Sequence, residues 1–289
     1  MRFSDIYAPG KFGLSFELFP PKTPSGEESL FENVAELVKL RPSFITCTYG
    51  AGGSTRDRTL DIVTRVRSDF SLPVATHLTC VGSTVDQLRE YLAETARRKI
   101  EFVVALRGDP PRGESRFRAV LDGLSHANEL VELIRREFPH FGIAVAGYPE
   151  KHQEAPSHQV DLENLKRKVD AGADVVITQL FYDNSDFFRF RERYDAAGIG
   201  VPLVPGLLPV TNLSQIQRIT SLCGAKLPAR FVEELETIGA DEAGQFDLGV
   251  RQAIRQTQEL IDQDVPGIHF YVLNKSHATR RVVDAVAIP

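Results

Sequence analysis

The sequence predicts an α/β chain folded as a (β/α)8 TIM barrel, a single domain over residues 1–289, and three observations carry that prediction. Short β-type runs alternate with longer amphipathic segments eight times along the chain. Its 289 residues match the roughly 250 that eight such repeats need. Polar residues gather at the ends of the strand-like runs, whose beginnings are almost wholly apolar, as a barrel with one polar mouth requires. A doubly wound sheet is the competing architecture, but there a Gly-rich turn commonly follows the first strand, and here that strand runs into Pro20 and Pro21.

The first strand is expected over 14–19. A period of two puts Leu14, Phe16 and Leu18 on one face, so with that face beneath the helices Glu17 points into the barrel among apolar neighbours. Desolvation there disfavours its charge and raises its pKa, which suits a general acid; a carboxylate tied to a buried cation is the structural alternative. A helix over 28–39 follows. Strand two, 44–49, ends in Thr48 and Tyr49 and opens into Gly50-Ala51-Gly52-Gly53-Ser54-Thr55. That loop lacks the third glycine of a dinucleotide fingerprint and the Gly-Lys-Ser/Thr of a phosphate loop, so it reads as a flexible turn.

A helix over 58–69 leads to strand three, 74–79, which carries His77 and Thr79; a lone strand histidine is more often a satisfied core group than a ligand. After a helix over 85–98, strand four, 102–106, runs into Arg107-Gly108-Asp109-Pro110-Pro111. This is an ordinary Asp-Pro turn, or a place where glycine lets a flat ligand approach the backbone and the flanking charges bond it. A helix over 125–137 precedes strand five, 143–146, which leads to Tyr148 and His152. In the helix over 161–171, Asp161, Asn164, Arg167 and Lys168 fall at offsets 0, 3, 6 and 7 and share one broad face. A solvated face and a ribose- and phosphate-holding face both fit that pattern. Strand six, 175–180, carries Gln179; a helix over 187–196, strand seven over 203–206 and helices over 213–222 and 248–262 follow. Strand eight, 268–273, ends in Asn274 and Lys275, and a last helix covers 276–285.

Composition narrows the function classes. The formal net charge of -5 and the absence of a basic stripe give no electrostatic case for nucleic acid or an anionic membrane. No apolar run approaches the roughly 20 residues that span a bilayer, and residues 1–9 do not resemble a secretory signal. Cys47, Cys80 and Cys223 form no C-x-x-C pair, which argues against an iron–sulfur cluster or thiolate zinc, and His152 has no metal-spaced partner. A reduced, cytoplasmic compartment and no metal are expected.

Taken together, these segments resemble the methylenetetrahydrofolate reductase family. The matching stretches include Ser15-Phe16-Glu17-Leu18-Phe19-Pro20-Pro21-Lys22, Thr48-Tyr49-Gly50-Ala51, Asp57-Arg58-Thr59 and His77-Leu78-Thr79-Cys80. They continue with Ala105-Leu106-Arg107-Gly108-Asp109, Ala146 to His152, Asp161 to Lys168, Thr178-Gln179-Leu180-Phe181, Pro205 to Pro209 and His269-Phe270-Tyr271. Their order spans nearly the whole chain. The resemblance implies a (β/α)8 barrel with bound FAD that NADH or NADPH reduces in a ping-pong cycle, followed by reduction of 5,10-methylenetetrahydrofolate to 5-methyltetrahydrofolate for methionine synthesis. It makes Glu17 the general acid that opens the folate's five-membered ring before hydride arrives from flavin N5. Asp109 becomes the second catalytic residue, holding the pterin beside the flavin. The flavin contacts it implies are Thr48, Tyr49, Ala51, His77, Arg107, Gly108, Asp109, Ala127, Tyr148, His152, Ala155, Asp161, Asn164, Arg167 and Lys168. The folate contacts it implies are Glu17, Thr48, Asp109, Gln179, Gln215 and Lys275.

Two departures stand out. Lys275 replaces an expected arginine and lacks its bidentate fork. Ile219 aligns where the family can place a stacking phenylalanine, with Phe181 or Leu180 as substitute apolar cover. The resemblance also implies self-association into a homo-oligomer, and a chain ending soon after the barrel is not expected to respond to adenosylmethionine.

Overall fold

The structure, a computed structural model, describes residues 2–49, 56–110, 113 and 117–289. A short helix α1 (Phe3–Ile6) leads into β1 (Gly13–Leu18), and then α2 (Pro24–Val38), β2 (Phe44–Cys47), α3 (Arg56–Phe70), β3 (Val74–Thr79), α4 (Val85–Arg97) and β4 (Phe102–Leu106) repeat one unit. The pattern continues through α5 (Ala127–Glu137), β5 (Gly142–Gly147), α6 (His158–Asp170), β6 (Val175–Thr178) and α7 (Asn184–Ala196). The seventh strand is split into β7 (Leu203–Val204) and β8 (Gly206–Leu207); α8 (Leu213–Cys223), α9 (Ala229–Ile238), α10 (Glu242–Asp262), β9 (Gly267–Tyr271) and α11 (His277–Val283) complete the chain.

All eight ladders between named strands are parallel, in the order β7-β6-β5-β4-β3-β2-β1-β9-β8. The ring closes at the split strand, because β7 pairs with β6 while β8 pairs with β9. Pro205 is the reason for the split. It has no N–H to give either neighbour, yet its carbonyl still accepts from His269 N at 2.9 Å. The expected (β/α)8 barrel is therefore the observed one, with a seventh strand that is two short pieces rather than a continuous 203–206.

Local chemistry explains where the helices begin. Thr84 and Gln87 exchange side-chain and backbone bonds as a capping box, Ser157 Oγ accepts from Val160 N, and Asn212 Oδ1 accepts from Gln215 N. Helix α6 thus starts three residues before the expected 161. Along β1, Leu14, Phe16 and Leu18 pack beneath the helices in the main core, leaving Ser15 and Glu17 on the inner side.

The lower end of the barrel is sealed. Phe3, Ile6 and Tyr7 sit against Phe44, Phe102, Val175 and Val204, and the Phe3 ring stacks on Phe102 with centroids 4.2 Å apart. Gly13 makes room for this plug, since a Cβ there would collide with the Tyr7 ring. The periodicity of residues 2–9 gave no sign of this helix. Helix α9 was also not predicted; it buries Phe231 and Leu235 in a satellite cluster with Leu208, Val210 and Ile216. With the bottom closed, the opening for a ligand lies at the C-terminal ends of the strands.

Candidate active site

Glu17 is on the inner side of β1, as its strand period requires, but its neighbours are not apolar. His77 Nε2 from β3 stands 3.2 Å from Glu17 Oε2, and His269 Nε2 from β9 stands 3.6 Å from the same oxygen. Burial pushes the carboxyl up, but the His77 and His269 imidazoles together outweigh it and hold the pKa down at about 2. The expected rise is thus corrected: Glu17 is ionised beside two imidazoles, and 19 % of its side chain remains open at the mouth. Behind it, His269 Nδ1 lies 2.8 Å from Ser15 Oγ, which fixes that ring. His77 Nδ1 is buried with no hydrogen-bond partner among the described residues.

The ends of β2, β3 and β4 stand beside this cluster. Thr48 N donates to Leu18 O, and the Tyr49 hydroxyl bonds both Thr79 Oγ1, at 3.0 Å, and Thr79 N. Ala51, assigned above to the flavin, lies outside the described residues. Gly108 has φ +89°, and a Cβ there would stand 2.7 Å from Val81 Cγ1. Only glycine meets both conditions, so the turn brings bare backbone to the mouth and sets Asp109, which is exposed, just beyond it.

Arg107 is held by a bidentate ion pair to Glu154, with Nη1 and Nη2 at 2.6 and 2.8 Å from the carboxylate oxygens, and its guanidinium lies 5.0 Å over the Phe117 ring. These side chains line one open groove of about 820 Å³, with Arg118, Ala119, Ser125 and His126, immediately before Ala127 at the start of α5. Close to Arg107, Tyr148 meets His152 edge to face at 4.7 Å, and Asp161 Oδ2 accepts from His152 N. Lys168 reaches from α6 to donate to Ala146 O, 6.0 Å from the Tyr148 ring centre, and burial lowers its ammonium to a pKa of about 8. Burial likewise lowers the pKa of His152. The shared face of α6 divides: Asp161 and Lys168 are half-buried, while Asn164 and Arg167 are exposed and bond each other at 3.2 Å. Ala155 is buried, its carbonyl accepting from Lys151.

Gln179 Oε1 accepts from Leu180 N at 2.9 Å, which turns the carbonyl end of its amide back onto the chain. Gln215 is exposed in the first turn of α8 and accepts from Thr211 Oγ1; Lys275 is exposed after β9. Neither substitute for the stacking phenylalanine offers a face. Phe181 is 1 % exposed and stacks on Phe187 inside the core, Leu180 is buried, and Ile219 packs in the satellite cluster. His269, Ser15, Tyr271 and Glu154 escaped the reading of the sequence as site residues. The first three alternate inward on β9 and β1, a signal the period of two already held; the Glu154 pairing depends on how two loops meet.

Comparison with known proteins places this geometry. The sequence profile described as "Methylenetetrahydrofolate reductase" matches residues 2–287. The chain is 37% identical over 279 residues to the "5,10-methylenetetrahydrofolate reductase" of Escherichia coli, covering 96% of this chain and 92% of that one. It is 38% identical over 283 residues to the "Methylenetetrahydrofolate reductase (NADH) 1" of Arabidopsis thaliana, covering 94% of this chain and 48% of the plant protein, so it spans about half the length of that relative. Among solved structures, a Clostridium thermocellum protein described as binding two copies of 5-methyl-5,6,7,8-tetrahydrofolic acid superposes with a TM-score of 0.63, at 13% identity and over 98% of this chain and 96% of that one; that likeness speaks for the fold alone.

Proposed function

The chain belongs to the methylenetetrahydrofolate reductase family, and on that footing we propose that it reduces 5,10-methylenetetrahydrofolate to 5-methyltetrahydrofolate, with NADH or NADPH as electron donor and FAD as the bound carrier. The observation that carries this reading is the carboxylate of Glu17 at the mouth of a sealed barrel, in contact with two histidines and still partly open to a ligand.

Three features fit a flavin dinucleotide. The groove beside Arg107 has the volume for the adenylate half of such a ligand. Lys168 is half-buried with one side-chain hydrogen bond among the described residues, to Ala146 O, and so retains N–H donors for a ring carbonyl or phosphate. The unpartnered Nδ1 of His77 calls for a polar group at the mouth. Arg107, His152, Asp161, Asn164, Arg167 and Lys168 would hold the cofactor, with Thr48, Tyr49, Ala51, Gly108, Ala127, Tyr148 and Ala155 shaping its bed. Bound FAD supplies hydride chemistry that no amino-acid side chain provides.

The protein's own part is the proton. A methylene bridge between two nitrogens becomes electrophilic once one nitrogen is protonated, and a positioned acid at that nitrogen is the group required. Glu17, His77 and His269 stand together as one cluster at the mouth. Although the carboxyl is ionised without a ligand, it is the group placed to hand a proton to the substrate nitrogen once it is protonated. Ser15 orients His269 against the Glu17 carboxylate. Entry of the folate removes water from Glu17, which strengthens the burial that pushes its pKa up and favours the protonated form. Asp109 accepts the N–H groups of the pterin, and Gln179, Gln215 and Lys275 grip the rest of the folate. The purified protein is expected to be yellow, to bleach anaerobically with NADH or NADPH, and to recover its colour on adding 5,10-methylenetetrahydrofolate. Colourless preparations that take up no FAD would sink the cofactor reading.

A further inference from the structure

Phe19 is the only exposed phenylalanine or tyrosine among the described residues, with 40% of its surface open. It lies two residues past Glu17, directly after the C-terminal end of β1 at the mouth of the barrel. A single exposed aromatic ring is unremarkable on a protein surface. What sets this one apart is how its backbone is held.

Asn274, from the loop after β9, grips Phe19 with both ends of its amide. Phe19 N donates to Asn274 Oδ1 at 3.0 Å, and Asn274 Nδ2 donates to Phe19 O at 2.7 Å. The grip needs unusual backbone, for Leu273 and Asn274 are consecutive non-glycine residues at φ +48° and +56°. Pro20 and Pro21 stiffen the other side of Phe19. The loop is itself anchored where Ser276 N and Oγ both donate to Asn33 Oδ1 on α2, at 2.8 and 2.9 Å. Lys275, exposed, is next in sequence to the clamp and puts a cation in the same loop.

We infer that Phe19, positioned by Asn274, is the platform on which the aryl ring of the folate tail stacks, with Lys275 meeting the carboxylates beyond that ring. The inference rests on the proposed folate reduction and deepens it. A flat ring joined to an anionic amino acid is the ligand chemistry that an exposed phenyl ring on a clamped backbone, with a lysine in the same loop, accepts. The site has few alternatives for this role: Phe181, Leu180 and Ile219 are packed away, and the Tyr271 hydroxyl is tied to Thr178 O at 2.8 Å.

The test is calorimetric binding of 5-methyltetrahydrofolate to the flavin-loaded protein, alongside steady-state kinetics. Phe19→Ala should weaken binding and raise KM for the folate roughly tenfold, the loss of one stacking partner worth about 1.4 kcal/mol, with the effect falling on KM rather than kcat. Phe19→Tyr should restore binding to within about twofold, and Asn274→Ala, which keeps the ring but frees the loop, should weaken it in the same direction as Phe19→Ala. Wild-type affinity in Phe19→Ala overturns the stacking role while leaving the proposed reduction standing. A wild-type protein that neither binds nor turns over folate overturns both.

Discussion

Glu17 at the mouth is charged because of what faces it, not because of its own strand. Its direction was legible from the alternation of Leu14, Phe16 and Leu18, but its ionisation was not, since His77 and His269 come from strands far away in sequence. Two outcomes follow at this scale. The pKa of Glu17 drops from its ordinary 4.5 to about 2 on folding. The stability this contributes is therefore complete above pH 4.5 and is lost as pH falls toward 2. Glu17→Gln should flatten the pH dependence of urea unfolding in that window, and an unchanged slope there would remove the paired carboxylate from the account. His77→Asn removes one of the imidazoles that hold the pKa down, so burial meets less opposition. The pH profile of folate reduction should then extend to higher pH, because the acid keeps its proton longer; a profile shifted to lower pH would contradict the assignment.

Among the elements, the turn after β4 does the most to shape the mouth. The Arg107-Gly108-Asp109 run was ambiguous in the sequence between a simple Asp-Pro turn and a ligand-approach site. The left-handed φ of Gly108 and its contact distance to Val81 show that the backbone there admits no side chain. Gly108→Ala should cost about 1–3 kcal/mol in urea unfolding through strain and overpacking together, and should lower the flavin content of the purified protein. Unfolding within about 0.5 kcal/mol of wild type would show the turn to be more tolerant than its geometry implies. Other elements were legible to different degrees. Strands three and four were read to the residue, because each is an apolar run with a polar end. The seventh strand was read as continuous, because a proline inside an apolar run leaves the pattern intact while removing the N–H that the ladder needs. Helix α9 went unread, since its Phe231 and Leu235 bury against α8 and the end of β8 rather than in the main core.

For the whole molecule, a barrel sealed below and open above follows from the sequence pattern, except for the seal. Phe3 and Ile6 of α1, with Tyr7 just after it, close the floor, and nothing in so short a segment announces that role. Phe3 is 1 % exposed and stacks on Phe102, so Phe3→Ala should cost about 3–5 kcal/mol in urea unfolding. KM for the folate should stay at its wild-type value, because the plug and the mouth lie at opposite ends of the strands; a changed KM would mean that the floor shapes the site. No helix among the described residues is long and apolar enough to cross a membrane. The barrel as a whole presents a single polar mouth, and the account stands on what happens there. Anaerobic stopped-flow absorbance of the Glu17→Gln protein tests it most directly, because it separates the two half-reactions. Bleaching of the flavin by NAD(P)H should survive, while its reoxidation by 5,10-methylenetetrahydrofolate should slow roughly 10²–10⁴-fold, the range a general acid contributes. Reoxidation at the wild-type rate would contradict the claim that this cluster delivers the proton.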